Sequence, residues 1–131
     1  MFQDENVIIE NRTNGLLFHA DINESVQRIA HLLSFYKGDA VIVRNNGIPA
    51  GIITSGDIIK AISSSNGDLS SIVAENIMTS PIISMDHDKY VDEVKAFMLD
   101  QGIIKLPIKK EFDIIGLVVE PDILINSSLY K

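Results

Sequence analysis

The chain matches itself, ungapped, at an offset of 65 residues. Glu10-Asn11 falls on Glu75-Asn76, Asp21 on Asp86, Val26 on Val91, Gly51 on Gly116, Asp57 on Asp122 and Ile58 on Ile123. Between these identities the apolar pattern keeps step: Ile29 on Val94, Leu32-Leu33 on Phe97-Met98, Val41 on Leu106, Ile52-Ile53 on Leu117-Val118. A fixed-period self-match means one supersecondary unit used twice. Two copies make a closed pseudo-symmetric pair rather than an open solenoid, and the interface between the copies is where a ligand is expected.

Each copy reads β-α-β-β-α, an α/β (α+β) pattern. In the first, Val7-Ile8-Ile9 precedes a brief strand at Leu16-Leu17-Phe18. A helix follows, with Asn23 as expected N-cap, Val26, Ile29, Ala30 and Leu33 as its apolar stripe and Gly38 as its stop. Ala40-Val41-Ile42-Val43 is a strand, Asn45-Asn46-Gly47 a turn, residues 48–54 the returning strand and residues 57–62 the start of a short helix. Gly51 inside that strand signals a close backbone approach. The second copy repeats this with Ile72-Val73-Ala74, a strand at Ile82-Ile83-Ser84, and a helix capped by Asp88 and ended by Gly102. Leu106-Pro107-Ile108, a turn over 110–113 and a strand over 114–119 complete it. The units are thus expected at 7–62 and 72–127, joined by a Ser-rich connector at 63–71.

Composition narrows the function. With 131 residues, 46% of them apolar and no Trp, the core must be aliphatic. Lys plus Arg number 11 against 18 Asp plus Glu, a net charge of -7, which argues against a nucleic-acid backbone binder but not against a small anionic ligand. The absence of Cys excludes disulfides and thiol catalysis. The first six residues do not read as a secretory signal, and no apolar run approaches the roughly 20 residues that cross a bilayer. A cytoplasmic protein is expected.

The sharpest local signal is Gly51-Ile52-Ile53-Thr54-Ser55-Gly56-Asp57. A buried strand ends at Thr54 and a helix begins near Gly56, presenting free N–H groups that favour a phosphate. Thr54 adds a hydroxyl, and the Asp57 carboxylate suits two vicinal ribose hydroxyls. Thr-x-x-Asp is equally a capping-box pattern, and the two roles are compatible.

With Met78-Thr79-Ser80-Pro81, the segment Met98-Leu99-Asp100-Gln101-Gly102-Ile103-Ile104-Lys105-Leu106-Pro107-Ile108, and the Gly51 to Asp57 run, the chain resembles a tandem of CBS (cystathionine β-synthase) domains over essentially its whole length. The resemblance implies a regulatory module rather than an enzyme. It implies clefts between the copies that bind adenosine-containing ligands such as AMP, ADP, ATP, S-adenosylmethionine or NAD, and association into a disc-shaped homodimer. Carried over by position, Thr54 with neighbouring Ser55 matches the phosphate-contacting position, and Asp57 and Asp122 match the ribose carboxylates. Leu16-Leu17 with Asp39-Ala40, and Ile82-Ile83 with Ile104-Lys105, match the strand ends that hold adenine. The expectation is an adenine-nucleotide sensor acting through its dimer or an effector protein, with no resident cofactor. The alternative is a scaffolding dimer that has lost its ligand.

The second copy departs from the pattern: Val119-Glu120-Pro121-Asp122 has no hydroxyl, an added negative charge and one N–H fewer. One competent site is expected, around Asp57. Asp86-His87-Asp88 reads as a helix entry rather than a metal site. His31 reads as packing, and His19, at a strand end near the cleft mouth, as a surface histidine more than as a phosphate contact. Lys37, Arg44, Lys60 and Lys105 are the basic residues expected nearest the clefts, Lys105 foremost. No activated nucleophile or paired carboxylates suggest catalysis.

Overall fold

The computed structural model describes residues 7–120, and the chain divides into two compact units, residues 16–82 and residues 1–15 with 83–131. The 16–82 unit contains β1 (Leu17–Asp21), α1 (Val26–Ser34), β2 (Ala40–Asn45), β3 (Ile48–Ile53), α2 (Ser55–Ser64) and α3 (Ala74–Ile77). Its sheet has the order β1-β2-β3, with β1 parallel to β2 and β2 antiparallel to β3. The other unit contains β4 (Met85–Asp86), α4 (Val91–Gln101), β5 (Lys105–Lys110) and β6 (Asp113–Val119), in the order β4-β5-β6. A 3-10 turn at Ile9–Arg12 belongs with it.

The repeated apolar positions are the two cores. Val26, Ile29, Val41, Val43, Ile53, Ile58 and Ala74 pack together in one unit, and Ile9, Val91, Val94, Met98, Leu106, Ile108 and Val118 in the other. Ile9 and Ala74 are equivalent under the offset, yet each is buried with the body of the opposite repeat. Ala74 and Glu75 donate their N–H groups to Glu24 O (2.8 Å) and Ile22 O (3.0 Å), and Ile72 O accepts from Val26 N–H (2.9 Å). Ile9 and Glu10 donate to Lys89 O (2.7 Å) and His87 O (3.2 Å), and Val7 O accepts from Val91 N–H (2.8 Å). These are the same bonds shifted by 65 positions. Each repeat's leading segment is therefore built into the other repeat's sheet-and-helix body.

Both strand glycines make this packing possible. A Cβ on Gly51 would lie 2.5 Å from Met78 Sδ, and one on Gly116 2.8 Å from Thr13 Cγ2. Beside Gly51, Ile52 and Thr79 exchange backbone hydrogen bonds of 3.0 and 2.8 Å. The close approach expected at Gly51 is that of the leading segment.

Several local expectations shift. Asn23 bonds its N–H to Asp21 Oδ2 in a turn, and the α1 N-cap is Ser25, whose Oγ accepts from Arg28 N–H at 3.2 Å. The α4 N-cap is Tyr90, not Asp88, because Glu93 returns a carboxylate to the Tyr90 N–H at 3.0 Å. α1 ends at Ser34 before Gly38, and the left-handed residue there is Lys37 (φ 57). Gly38 is needed for space instead: its Cβ would lie 2.6 Å from Phe18. Gly102 does end α4, at φ 67, with Ile103 N–H returning to Met98 O at 2.9 Å. The strand expected at Ile82-Ile83-Ser84 is not formed. Thr79 is pinned on β3, so residues 80–84 carry the chain onward, and pairing starts only where Met85 meets Ile108. In the 63–71 connector α2 runs on to Ser64, and the Asp68 carboxyl is held below its ordinary value by the Ser70 hydroxyl and N–H. The closing helix expected in the second copy lies outside the described residues.

The leading segment of the 83–131 unit carries an ion cluster. Glu10 meets His87 Nδ1 at 3.0 Å and Lys110 Nζ at 3.4 Å. The His87 hydrogen bond, with the Lys110 charge behind it, holds the Glu10 carboxyl below its ordinary 4.5 against a weaker opposing effect of desolvation. A carboxylate depressed on folding adds stability that is complete above its unfolded value and fades as pH falls through the lower folded value. Glu10→Gln is expected to flatten the acid limb of the stability curve below about 4.5, measured as urea midpoints across the acid range; an unchanged limb would mean that the Glu10 ion cluster does not stabilise the fold. Gly51→Ala is expected to cost about 1–3 kcal/mol by overpacking against Met78, read from chemical denaturation, whereas unchanged stability would contradict the close approach.

Candidate functional site

Sheet topology brings most of the expected site residues to one edge of the 16–82 unit. β1 starts at Leu17, which pairs with Ala40 at the start of β2, and β3 ends where Ile53 pairs with Val41. Leu17, Asp39, Ala40, Thr54, Ser55 and Asp57 therefore gather where two strands begin and the third ends into α2. Ala40 is fully buried; Leu17, Asp39, Thr54 and Asp57 are half-buried, and Ser55 is exposed.

The edge is internally bonded. Asp39 donates its N–H to Leu16 O at 2.8 Å, and its Oδ2 accepts the Leu16 N–H at 2.7 Å. The carboxylate of Asp39 thus fixes the entry to β1. Thr54 is the N-cap of α2 in extended backbone, and its N–H donates to Asp57 Oδ2 at 3.0 Å. The other oxygen, Asp57 Oδ1, accepts the Thr79 hydroxyl at 3.2 Å. The capping and ligand readings of Asp57 are therefore compatible: two protein donors orient the carboxylate, and the remaining lone pairs of its roughly four acceptor sites suit hydroxyl donors. At the start of α2 the Asp57 and Ile58 N–H groups donate to Thr54 O at 3.0 and 3.3 Å, and the N–H groups of Ser55 and Gly56, in the first turn, precede any possible intrahelical acceptor.

Thr79 is the neighbour of Asp57 that the sequence reading does not place at this edge. Its signal was present, since Met78-Thr79-Ser80-Pro81 was recognised as a block, but its contact with Asp57 depends on the leading segment crossing β3.

Other expected residues fall elsewhere. Ile82 belongs to the 16–82 unit and lies in no strand; Ile104 and Lys105 belong to the other unit, Lys105 pairing with Val119 and Ile104 O accepting the Glu120 N–H at 2.9 Å. Asp122 lies outside the described residues. His19 is not at the strand end. It sits mid-strand opposite Ile42, and its Nδ1 accepts from Arg44 Nε at 3.1 Å. Arg44 also donates to Gly47 O at 2.9 Å, so both point to the far end of β2, away from Ala40. His31 stacks on Phe35 with ring centroids 4.9 Å apart.

Cavities occur in both units. One of about 320 Å³ is lined by Ala30, Leu33, Ser34, Ser55, Ile58, Ile59 and Ile62, an apolar groove between α1 and α2 that reaches Ser55. One of about 240 Å³ in the other unit includes Arg12, Asn14, Lys95 and Glu120 over an apolar floor. Among the described residues no cluster of three metal-binding side chains occurs, and no helix is long and apolar enough to cross a membrane.

The architecture is two equivalent three-stranded units, each built from the body of one repeat and the leading segment of the other. The CBS domain family profile matches residues 17–64 and 73–128, and the chain belongs to that family. CBS pairs are regulatory modules rather than enzymes. An uncharacterised protein of Methanopyrus kandleri is 36% identical over 88 residues, 66% of this chain and 45% of that protein, so the chain matches under half of that relative's length. The CBS domain-containing protein YhcV of Bacillus subtilis is 24% identical over 104 residues, covering 79% of this chain and 74% of that one. Among solved structures, an uncharacterised conserved protein of Pyrococcus horikoshii superposes with a TM-score of 0.79 at 24% identity, over 96% of this chain and 95% of that one. The CBS pair of protein MJ0100, solved with 5'-methylthioadenosine and S-adenosyl-L-methionine, gives a TM-score of 0.73 at 25% identity, over 95% and 98% of the two chains.

Removing the Asp57 side chain should cost about 0.5–2 kcal/mol, the range for a lost helix cap, whereas Asp57→Asn retains an acceptor for the Thr54 N–H and should cost less. Urea denaturation of both variants checks this, and equal losses would mean that Asp57 does not cap α2.

Proposed function

We propose that the 16–82 unit binds an adenine nucleotide of the AMP, ADP or ATP class and that the protein is its sensor. The observation that carries this reading is the Asp57 carboxylate, oriented by Thr54 and Thr79 beside the start of α2 and on the same sheet edge as Leu17 and Ala40. In this arrangement Asp57 accepts the two ribose hydroxyls, Thr54 and Ser55 with the opening N–H groups of α2 meet the phosphate, and Leu17, Asp39 and Ala40 border the base. The adenosine ligands of the MJ0100 CBS pair support the same ligand class.

Signalling follows from differential binding. A ligand shifts a conformational or association equilibrium only by its difference in affinity between the states. The output goes to a second copy in a homodimer or to an effector protein.

Thermal denaturation of the full chain with AMP, ADP, ATP, S-adenosylmethionine and NADH tests the reading. A ligand at 100 times its dissociation constant adds about 2.7 kcal/mol, a shift of several degrees in a domain of this size. The expected result is a shift with at least one adenosine ligand, lost in Asp57→Ala while the variant still melts cooperatively. No shift with any of them would favour the ligand-free scaffold.

A further inference from the structure

The strand end of the second unit is finished differently from that of the first. The offset pairs Thr54 with Val119, Ser55 with Glu120 and Thr79 with Asn14. In the 16–82 unit Asp57 stands between the strand end and the leading segment, bonded to both. In both units the leading segment bonds the strand through its backbone, at Ile52 and Thr79 in one and at Leu117 and Asn14 in the other, but in the other unit a side chain of the leading segment also bonds the strand end. Asn14 Oδ1 accepts the Val119 N–H at 2.7 Å, and Asn14 Nδ2 donates to Val119 O at 3.0 Å. The backbone N–H groups of Asn14 and Gly15 both donate to Leu117 O, at 3.0 and 2.9 Å. Thr13, one residue earlier, lies against Gly116 and fixes where Asn14 can reach. The next N–H along, that of Glu120, donates to Ile104 O at 2.9 Å. Two consecutive strand-end N–H groups and the Val119 carbonyl are thus all bound within the unit.

We infer that Asn14 is a built-in occupant of this strand end. Its carboxamide pairs with the Val119 backbone as an added strand would, taking both its N–H and its carbonyl, whereas the counterpart N–H of Thr54 is taken by the Asp57 carboxylate. The pin closes this end to ligands, so of the two strand ends among the described residues the adenosine site is that of the 16–82 unit. The one-site statement rests on the function proposed above; the occupation of Val119 by Asn14 does not. A tethered side chain on a short segment acts at an effective concentration of about millimolar or more, and a free nucleotide must displace it to enter. Val119 supplies no hydroxyl in compensation.

Amide hydrogen exchange on the ligand-free chain tests the pin. In Asn14→Ala the Val119 amide should exchange at least about tenfold faster than in the wild type, while Leu106 and Ile108 in the core of the sheet keep their protection. Asn14→Thr, which installs the residue type found at position 79, carries the same test if the alanine variant fails to fold. Equal exchange at Val119 in the wild type and both variants would overturn the pin. Equilibrium dialysis with AMP then counts sites: one per wild-type chain, lost in Asp57→Ala, is expected. Two per chain, one of them surviving Asp57→Ala, would overturn the closed second end. No binding of AMP, nor of ADP or ATP dialysed in its place, would overturn the one-site statement together with the nucleotide reading, while faster Val119 exchange in the variants would still establish the pin.

Discussion

The contact of Met78-Thr79 with Gly51-Ile52 organises the functional edge of the molecule. Only a glycine lets the leading segment lie this close to β3, and the paired backbone bonds between Ile52 and Thr79 set its register. That register delivers the Thr79 hydroxyl to Asp57. Asp57 in turn holds the Thr54 N–H and so fixes where β3 stops and α2 begins. A displacement of the leading segment would loosen the carboxylate, the cap and the strand end together. The proposed site and the stability of this edge therefore depend on one short stretch of backbone.

The 65-residue repeat made the two cores and the three-stranded pattern of each unit legible, because buried apolar positions recur wherever the same packing recurs. Val41 and Leu106, or Ile53 and Val118, occupy equivalent places for that reason. What the repeat could not reveal is which body each leading segment joins. Residues 7–9 and 72–74 offer the same donors and acceptors, and both bodies offer the same partners, so the pattern is symmetric under exchange. Only the structure shows that Ile9 packs with Val91 and Ala74 with Val26.

The capping contact of Thr54 with Asp57 was legible too, because a strand end followed by Thr-x-x-Asp is a local pattern with a local meaning. His19 and Arg44 were misplaced because their position depends on how far β1 and β2 extend: to Asp21 and Asn45, carrying both residues toward the opposite edge. Asn14 gave no signal, since an asparagine before a glycine reads as a turn. Its role comes from Val119, 105 positions away in the chain. The asymmetry between the two strand ends, an oriented carboxylate in one unit and a carboxamide pin in the other, thus arises from single substitutions within a shared framework.

The most direct test of the central claim is a nuclear magnetic resonance titration of the uniformly labelled chain with AMP. The account predicts saturable amide shifts at Leu17, Ala40, Thr54, Ser55 and Asp57, with Val119 and Glu120 unmoved. Shifts centred on Val119, or none at the Asp57 edge at saturating nucleotide, would contradict it.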